Sequence, residues 1–184
     1  DPQNSSSIAW GDYDRDGYLD LAVGNAAGAS HVYHNAGDGS FDPTPVWSSP
    51  ISPITDIAWA GWEIGSAYAP YLALGAPGGA SLLLRYDDGQ FVPVTWTVPL
   101  TDSTHSLAWG DYDQDGDPDL AVGNLGQPNR LYRNGQDPAA PLPLIQSTVE
   151  TSATRSVAWG DLDGDGDLDL AVGNDQVLSG PEAD

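Results

Sequence analysis

The chain has 184 residues, enough for one domain or for a tight array of small units. It carries 27 acidic residues against 5 basic ones, has a formal net charge of -22, and contains no cysteine. The charge argues against binding nucleic acid or anionic lipid, which both need a basic surface, and the missing cysteine excludes disulfides and thiolate metal sites. No apolar run approaches the ~20 residues of a membrane-spanning helix, so no membrane insertion is expected.

One motif recurs along the chain. It reads AWGDYDRDGYLDLAVGN at 9–25, AWGDYDQDGDPDLAVGN at 108–124 and AWGDLDGDGDLDLAVGN at 158–174, and a degenerate copy, AWAGWEIGSAYAPYLALGA, lies at 58–76. A period near 50 residues with strand-like content is typical of the blades of a β-propeller, each a sheet of four short strands. The tryptophans of the four copies, expected to pack between blades, are Trp10, Trp59, Trp109 and Trp159.

The strands within one period follow from short apolar or alternating segments separated by turns rich in Gly, Asn and Asp. The fourth unit contains only its first two strands. We therefore predict an all-β fold of antiparallel blades, about three and a half of them with roughly 14 strands and little or no helix. Predicted strands of the first unit are 7–10, 19–23, 31–34 and 41–47, and the outer strands of the second and third units are 82–86, 91–98, 130–133 and 141–145.

These units form one propeller-type repeat region, 1–184, with blades at about 5–54, 55–103, 104–153 and a partial blade at 154–184. An arc of this size leaves an open edge and an uncovered sheet face. Three explanations stay open. The chain is a fragment of a longer propeller, or two chains complete a seven-bladed ring or join head to tail through their half-blades, or a four-bladed ring closes with the help of the first residues.

Between the first two strands, three of the four units carry the pattern D-x-D-x-D-G-x-x-D, whose positions we number 1 to 9. We call residues 12–20, 111–119 and 161–169 the first, second and third acidic loops. Together they hold 14 of the 27 acidic residues. Carboxylates crowded in this way repel one another unless a cation binds, and a purely oxygen donor set favours Ca²⁺ over Zn²⁺, with Mg²⁺ the weaker alternative.

The spacing turns the side chains at positions 1, 3 and 5 toward a common centre. Glycine at position 6 permits a positive φ, position 7 offers a backbone carbonyl, and Asp at position 9 closes the site from the next strand. The predicted ligands are Asp12, Asp14, Asp16, Tyr18 and Asp20 in the first loop, Asp111, Asp113, Asp115, Asp117 and Asp119 in the second, and Asp161, Asp163, Asp165, Asp167 and Asp169 in the third.

The second unit has no aspartate at these positions, because residues 60–68 replace the acidic loop. We therefore expect three Ca²⁺ ions per chain and none in the second unit. Trp62 and Tyr68 lie in this replacement segment, where they either pack the loop or contact a ligand.

The strings WGDYDRDGYLDLAVGN, WGDYDQDGDPDLAVGN and WGDLDGDGDLDLAVGN, with following strands such as VYHN and LYRN, resemble FG-GAP/VCBS repeats. Such repeats build the β-propellers of integrin α-subunits and of many bacterial surface proteins. The resemblance covers about residues 5–178. It implies calcium in the loops between the first two strands of a blade, with the twelve aspartates at positions 1, 3, 5 and 9 as side-chain ligands.

The resemblance implies a secreted or cell-surface module for adhesion or assembly, with a protein or glycan partner. The alternative is a lectin-like propeller, or an accessory domain of a polysaccharide-degrading enzyme, with Trp47, Trp62, Tyr68 and Trp96 as stacking candidates. We do not expect an enzyme, because the sequence has no nucleophile motif and its three histidines are scattered.

Overall fold

The computed structural model describes residues 4–64, 67–94, 96, 102–135, 142–149 and 151–175. These residues form fourteen strands in four separate antiparallel sheets, which we call sheets I to IV in chain order, and a single 3₁₀ turn at Pro77–Gly79. No helix in the described residues is long and apolar enough to cross a membrane.

In sheets I to III, four strands pair in chain order, and sheet IV contains two paired strands within the described residues. The strands are β1 Asn4–Gly11, β2 Asp20–Ala27, β3 His31–Tyr33 and β4 Trp47–Ser48 in sheet I; β5 Asp56–Ile64, β6 Ala67–Gly75, β7 Leu82–Asp87 and β8 Gln90–Val94 in sheet II; β9 Thr104–Gly110, β10 Asp119–Asn124, β11 Arg130–Tyr132 and β12 Leu144–Ser147 in sheet III; and β13 Ala153–Gly160 and β14 Asp169–Asp175 in sheet IV.

The fourth strands differ most from the sequence prediction. In sheet I, only Trp47–Ser48 pairs as a strand, although the sequence predicts 41–47. Pro43 and Pro45 interrupt that segment, and proline cannot donate a ladder hydrogen bond. In sheet III, the fourth strand lies later than predicted, at Leu144–Ser147. The predicted residues 95, 97–98 and 141 lie outside the described residues.

Consecutive sheets pack through their first strands, with β1 against β5, β5 against β9 and β9 against β13. Apolar side chains fill the spaces between sheets I and II and between sheets II and III. The first strands are therefore the innermost elements, and the arrangement is that of consecutive blades of a β-propeller.

The repeated tryptophan makes the contact between neighbouring sheets, as the sequence predicts. A Cβ added to Gly11 would lie 2.6 Å from Cγ of Trp59, and one added to Gly110 would lie 2.6 Å from Cδ1 of Trp159. Trp159 Nε1 also donates a hydrogen bond to the Ala108 carbonyl, at 3.0 Å. Each indole thus lies across the end of the first strand of the preceding sheet, where glycine leaves room for the ring.

The arc is open, because the faces of its two end sheets have no neighbouring sheet among the described residues. Trp10 in sheet I is 51% exposed. A Cβ added to Gly160 in sheet IV would meet no heavy atom of the described residues within 4 Å, apart from its own chain neighbours. The four-bladed closure considered from the sequence is therefore absent from the described part of the chain.

Replacing Gly110 by valine is expected to destabilise the fold by about 1–3 kcal/mol, because the side chain would overlap the Trp159 ring. Gly160→Val is the matched control, since it makes the same change at the same repeat position where no ring packs. Urea unfolding at low protein concentration measures both free energies. Equal effects for the two variants would contradict the packing role of Trp159.

Candidate metal centres

Each acidic loop connects the first strand of its sheet to the second, in sheets I, III and IV. The loops share one hydrogen-bond pattern. The carboxylate at position 1 accepts the backbone N–H groups of positions 5 and 6 at 2.9 to 3.2 Å. The carboxylate at position 5 accepts the N–H of position 7 at 2.8 to 3.1 Å. The aspartates therefore stabilise the loop conformation through hydrogen bonds, and they also place several negative charges close together.

Two positions of every loop have a left-handed backbone. Position 6 is predicted from the sequence to need a positive φ, and this is confirmed. Position 4 is left-handed as well, which the sequence does not reveal, because two of its three residues are not glycine. The φ values are 93° at Gly17, 94° at Gly116 and 97° at Gly166 for position 6, and 64° at Arg15, 58° at Gln114 and 78° at Gly164 for position 4.

The aspartate at position 9 connects the loop to the outer strands. Asp20 and Asp119 are fully buried. In each, Oδ2 accepts the N–H of loop position 2, and Oδ1 accepts the N–H of the asparagine that follows the third strand, Asn35 or Asn134. Burial raises the pKa of Asp20, and it raises the pKa of Asp119 to about 6. A nearby cation would favour the charged form of these groups.

The donor set fits a hard cation. In each loop, three side chains offer ligand atoms within 4.8 Å of one another. In the second loop, Asp113 Oδ1 is buried and has no hydrogen-bond partner among the described residues. The groups are Asp12, Asp14 and Asp16; Asp111, Asp113 and Asp115; and Asp161, Asp163 and Asp169.

Some predicted ligands lie outside these groups. Asp20 groups with Asp14 and with His34, whereas Asp119 and Asp165 belong to no such group within the described residues. At position 7, the backbone N–H groups of Tyr18, Asp117 and Asp167 donate to position 5. The role of their carbonyls as ligands stays a prediction.

Basic side chains beside two of the loops were missed by the sequence analysis. His34 and Arg133 both directly follow the third strand of their sheets. Arg133 Nε lies 2.7 Å from Asp113 Oδ2, and its second guanidinium nitrogen lies 3.2 Å from Asp115 Oδ2. His34 Nδ1 lies 3.3 Å from Asp20 Oδ1. The pairing of the second and third strands brings them there. The leucine after position 9 pairs with a tyrosine of the third strand, and the basic residue comes directly after that tyrosine.

Sheet II has an extended hairpin where the others have an acidic loop. β5 and β6 stay paired as far as Ile64 and Ala67. Tyr68 lies beneath the Arg15 guanidinium, whose carbon is 5.0 Å from the ring centroid, so this ring packs against the first loop. The side chain of Trp62 lies outside the described residues, and the expected absence of calcium here stays a prediction.

The other stacking candidates pack between sheets. Trp47 lies with its ring centroid 5.9 Å from that of Phe91 in sheet II. Trp96 makes an edge contact with Tyr132 in sheet III, at 5.5 Å. His105 is a half-buried residue within β9.

The FG-GAP-like repeat family matches residues 12–62, 69–122 and 111–172, which is most of the chain. This chain belongs to the FG-GAP-like repeat family. Each of the three matches contains at least one complete acidic loop, so the sequence resemblance is confirmed. No curated protein matches the chain.

A solved structure gives the same fold as these FG-GAP-like repeats. The chain is similar to the crystal structure of BBS1N in complex with ARL6DN, soaked with lead, at a TM-score of 0.60 and 12% sequence identity. The match covers 95% of this chain and 51% of that one, so the chain spans about half the length of this structural relative. The similarity supports the propeller fold.

Arg133→Gln is expected to strengthen divalent-cation binding at the second loop, because the guanidinium competes for Asp113 and Asp115. Arg155→Gln is the charge-matched control, since Arg155 pairs with Asp175 outside the loops. Calorimetric titration of the chelator-treated protein with calcium measures the affinities. An unchanged affinity in Arg133→Gln would contradict competition by Arg133.

Proposed function

We propose that the chain is a non-catalytic, calcium-stabilised β-propeller module that binds a protein partner outside the cell or at its surface. The observation that carries the calcium part is the threefold repetition of one loop scaffold, each copy with three carboxylate-bearing residues whose oxygens lie within 4.8 Å of one another. One Ca²⁺ per loop would offset the repulsion within it. The ions would hold the first strand to the second in sheets I, III and IV.

Interaction with a protein is supported by the fold. FG-GAP-like repeats cover most of the chain, and BBS1N, which has a similar fold, was crystallised in complex with ARL6DN. A glycan ligand is less well supported, because Trp47 and Trp96 pack on neighbouring sheets. The histidines also lie apart, with His31 beside Ser48, His34 beside the first loop and His105 in β9, which supports a non-catalytic role.

The extracellular assignment is supported by the chemistry of the loops. Calcium sites in extracellular modules commonly have a Kd of about 10⁻⁴–10⁻³ M, suited to compartments with millimolar calcium. Most residues of the first and third loops are solvent-exposed, and the candidate ligands of all three loops come from short turns. The net charge of -22 would fall in magnitude as three divalent ions bind.

Thermal unfolding with saturating calcium and with chelator tests the calcium part. Each site is expected to add about 2.7 kcal/mol to the free energy of unfolding when free calcium is about 100 times Kd. Asp113→Asn removes a carboxylate from the second loop and is expected to lower the bound calcium from three ions to two.

Asp42→Asn is the control, because it removes the same charge from an exposed residue outside the loops. It should keep three ions and the full calcium-dependent rise in Tm. An unfolding temperature that does not respond to calcium in the unmodified protein would contradict the proposal.

A further inference from the structure

The contact between sheets III and IV has two complementary halves. One half is a donor face, formed by the tryptophan and the apolar residue two places before it. The other half is an acceptor face on the preceding sheet, with a serine, an alanine carbonyl and a glycine. Between sheets III and IV, Val157 N–H donates to Ser106 Oγ at 3.1 Å, Trp159 Nε1 donates to the Ala108 carbonyl, and the indole covers Gly110.

Sheet I has a donor face with no partner in the described residues. Trp10 is 51% exposed and Ile8 is 59% exposed. At the same repeat position as Ile8, Ile57 is 3%, Leu107 is 7% and Val157 is 6% exposed. Trp10 and Ile8 of sheet I are therefore exposed, whereas the residues at the same repeat positions in the other sheets pack against a neighbouring sheet.

Sheet IV has the matching acceptor face. Ser156 and Ala158 are exposed, and the space beside Gly160 is open. Val172 in β14 is 39% exposed, whereas its counterpart Val122 in β10 is 1% exposed. Residues 158–161 repeat the sequence AWGD of 108–111, which forms the acceptor at the internal contact.

We propose that the donor face of sheet I binds the acceptor face of sheet IV in a second copy of this chain. Trp10 then lies across Gly160 of the partner and donates to the Ala158 carbonyl, and Ile8 N–H donates to Ser156 Oγ. This proposal rests on the propeller module proposed above. It extends the contact that already occurs between sheets III and IV, with the same residue types on the acceptor side.

Two copies suit a closed ring. The contact is heterologous, so it closes a ring only when the rotation per sheet allows it. The described residues of one copy form four inner strand pairs, so two copies supply eight, rather than the seven blades considered from the sequence. Eight lies within the usual range of about 4–8 blades.

The acidic loops oppose this association unless they bind cations. Loops of neighbouring sheets touch, because Gln114 of the second loop donates to the Gly166 carbonyl of the third at 2.9 Å. Joining two copies would bring the third loop of one close to the first loop of the other. We therefore expect calcium, which neutralises both loops, to favour the dimer.

The test is the mass of the 184-residue chain in solution, measured by sedimentation equilibrium over a range of concentrations with calcium. The expected result is a reversible dimer of twice 19.3 kDa. Trp10→Ala and Gly160→Val should each be monomeric under conditions where the unmodified chain is dimeric. Near-ultraviolet circular dichroism checks that both variants stay folded.

Mixing the two variants gives the sharpest result. The Trp10→Ala chain keeps an intact acceptor face, and the Gly160→Val chain keeps an intact donor face, so the mixture should regain one intact contact and form dimers. A mixture that stays monomeric, or association lost in only one of the variants, would overturn the head-to-tail contact. Polymers larger than a dimer would overturn closure by two copies.

The calcium-dependent change in Tm, recorded on the same samples, separates this proposal from the calcium proposal. A large change in Tm with a monomeric mass at all concentrations would overturn self-association and leave the calcium proposal standing. A dimer at high salt, where charge repulsion is screened, with no response of Tm to calcium, would support self-association and contradict the calcium proposal.

Discussion

The contact between first strands organises the rest of the molecule. An indole that covers a glycine of the preceding sheet sets the distance between sheets, and its N–H satisfies a backbone carbonyl in the same contact. In sheet II, Ala60 replaces this glycine, and the Trp109 indole bond to the Ala58 carbonyl is longer, at 3.3 Å. Because the contact repeats along the chain, the connections between first and second strands fall on one side of the arc.

That alignment brings strongly charged loops together. Asp56 adds to the inner contacts, since its carboxylate accepts hydrogen bonds from Ser7 in sheet I and from the Leu107 N–H in sheet III. A single position in sheet II thus connects three sheets near the centre. The acidic loops lie at the ends of these inner strands, so a cation that orders a loop also fixes the strand on which the next sheet packs.

Much of this architecture could be predicted from the sequence, because the repeat contains residues with strong conformational preferences. The tryptophan period indicates the sheets, and glycine at position 6 indicates the loop reversal. The outer strands were less predictable, since proline and bulky residues there leave several registers open. Trp47 and Trp96 pack across sheets, and no local pattern distinguishes such a ring from one that binds a sugar.

Contacts between distant residues account for what the sequence analysis missed. His34 and Arg133 lie next to the loops only because the third strand pairs with the second in a particular register. One of the two hydrogen bonds at each carboxylate of Asp20 and Asp119 likewise joins residues 15 apart in the sequence. Asn25 and Asn124, which follow the glycines of β2 and β10, are buried, and their side-chain oxygens accept hydrogen bonds from the Ser5 and Thr104 hydroxyls on the neighbouring first strands.

The number of calcium ions bound per chain tests the central claim most directly. Equilibrium dialysis of the metal-free protein against calcium, followed by elemental analysis, gives this number without assuming a folding or binding model. The account predicts three ions per chain, one for each loop, with magnesium a weak competitor. A value near zero at millimolar calcium would mean that hydrogen bonds alone hold the acidic loops, and it would contradict the account.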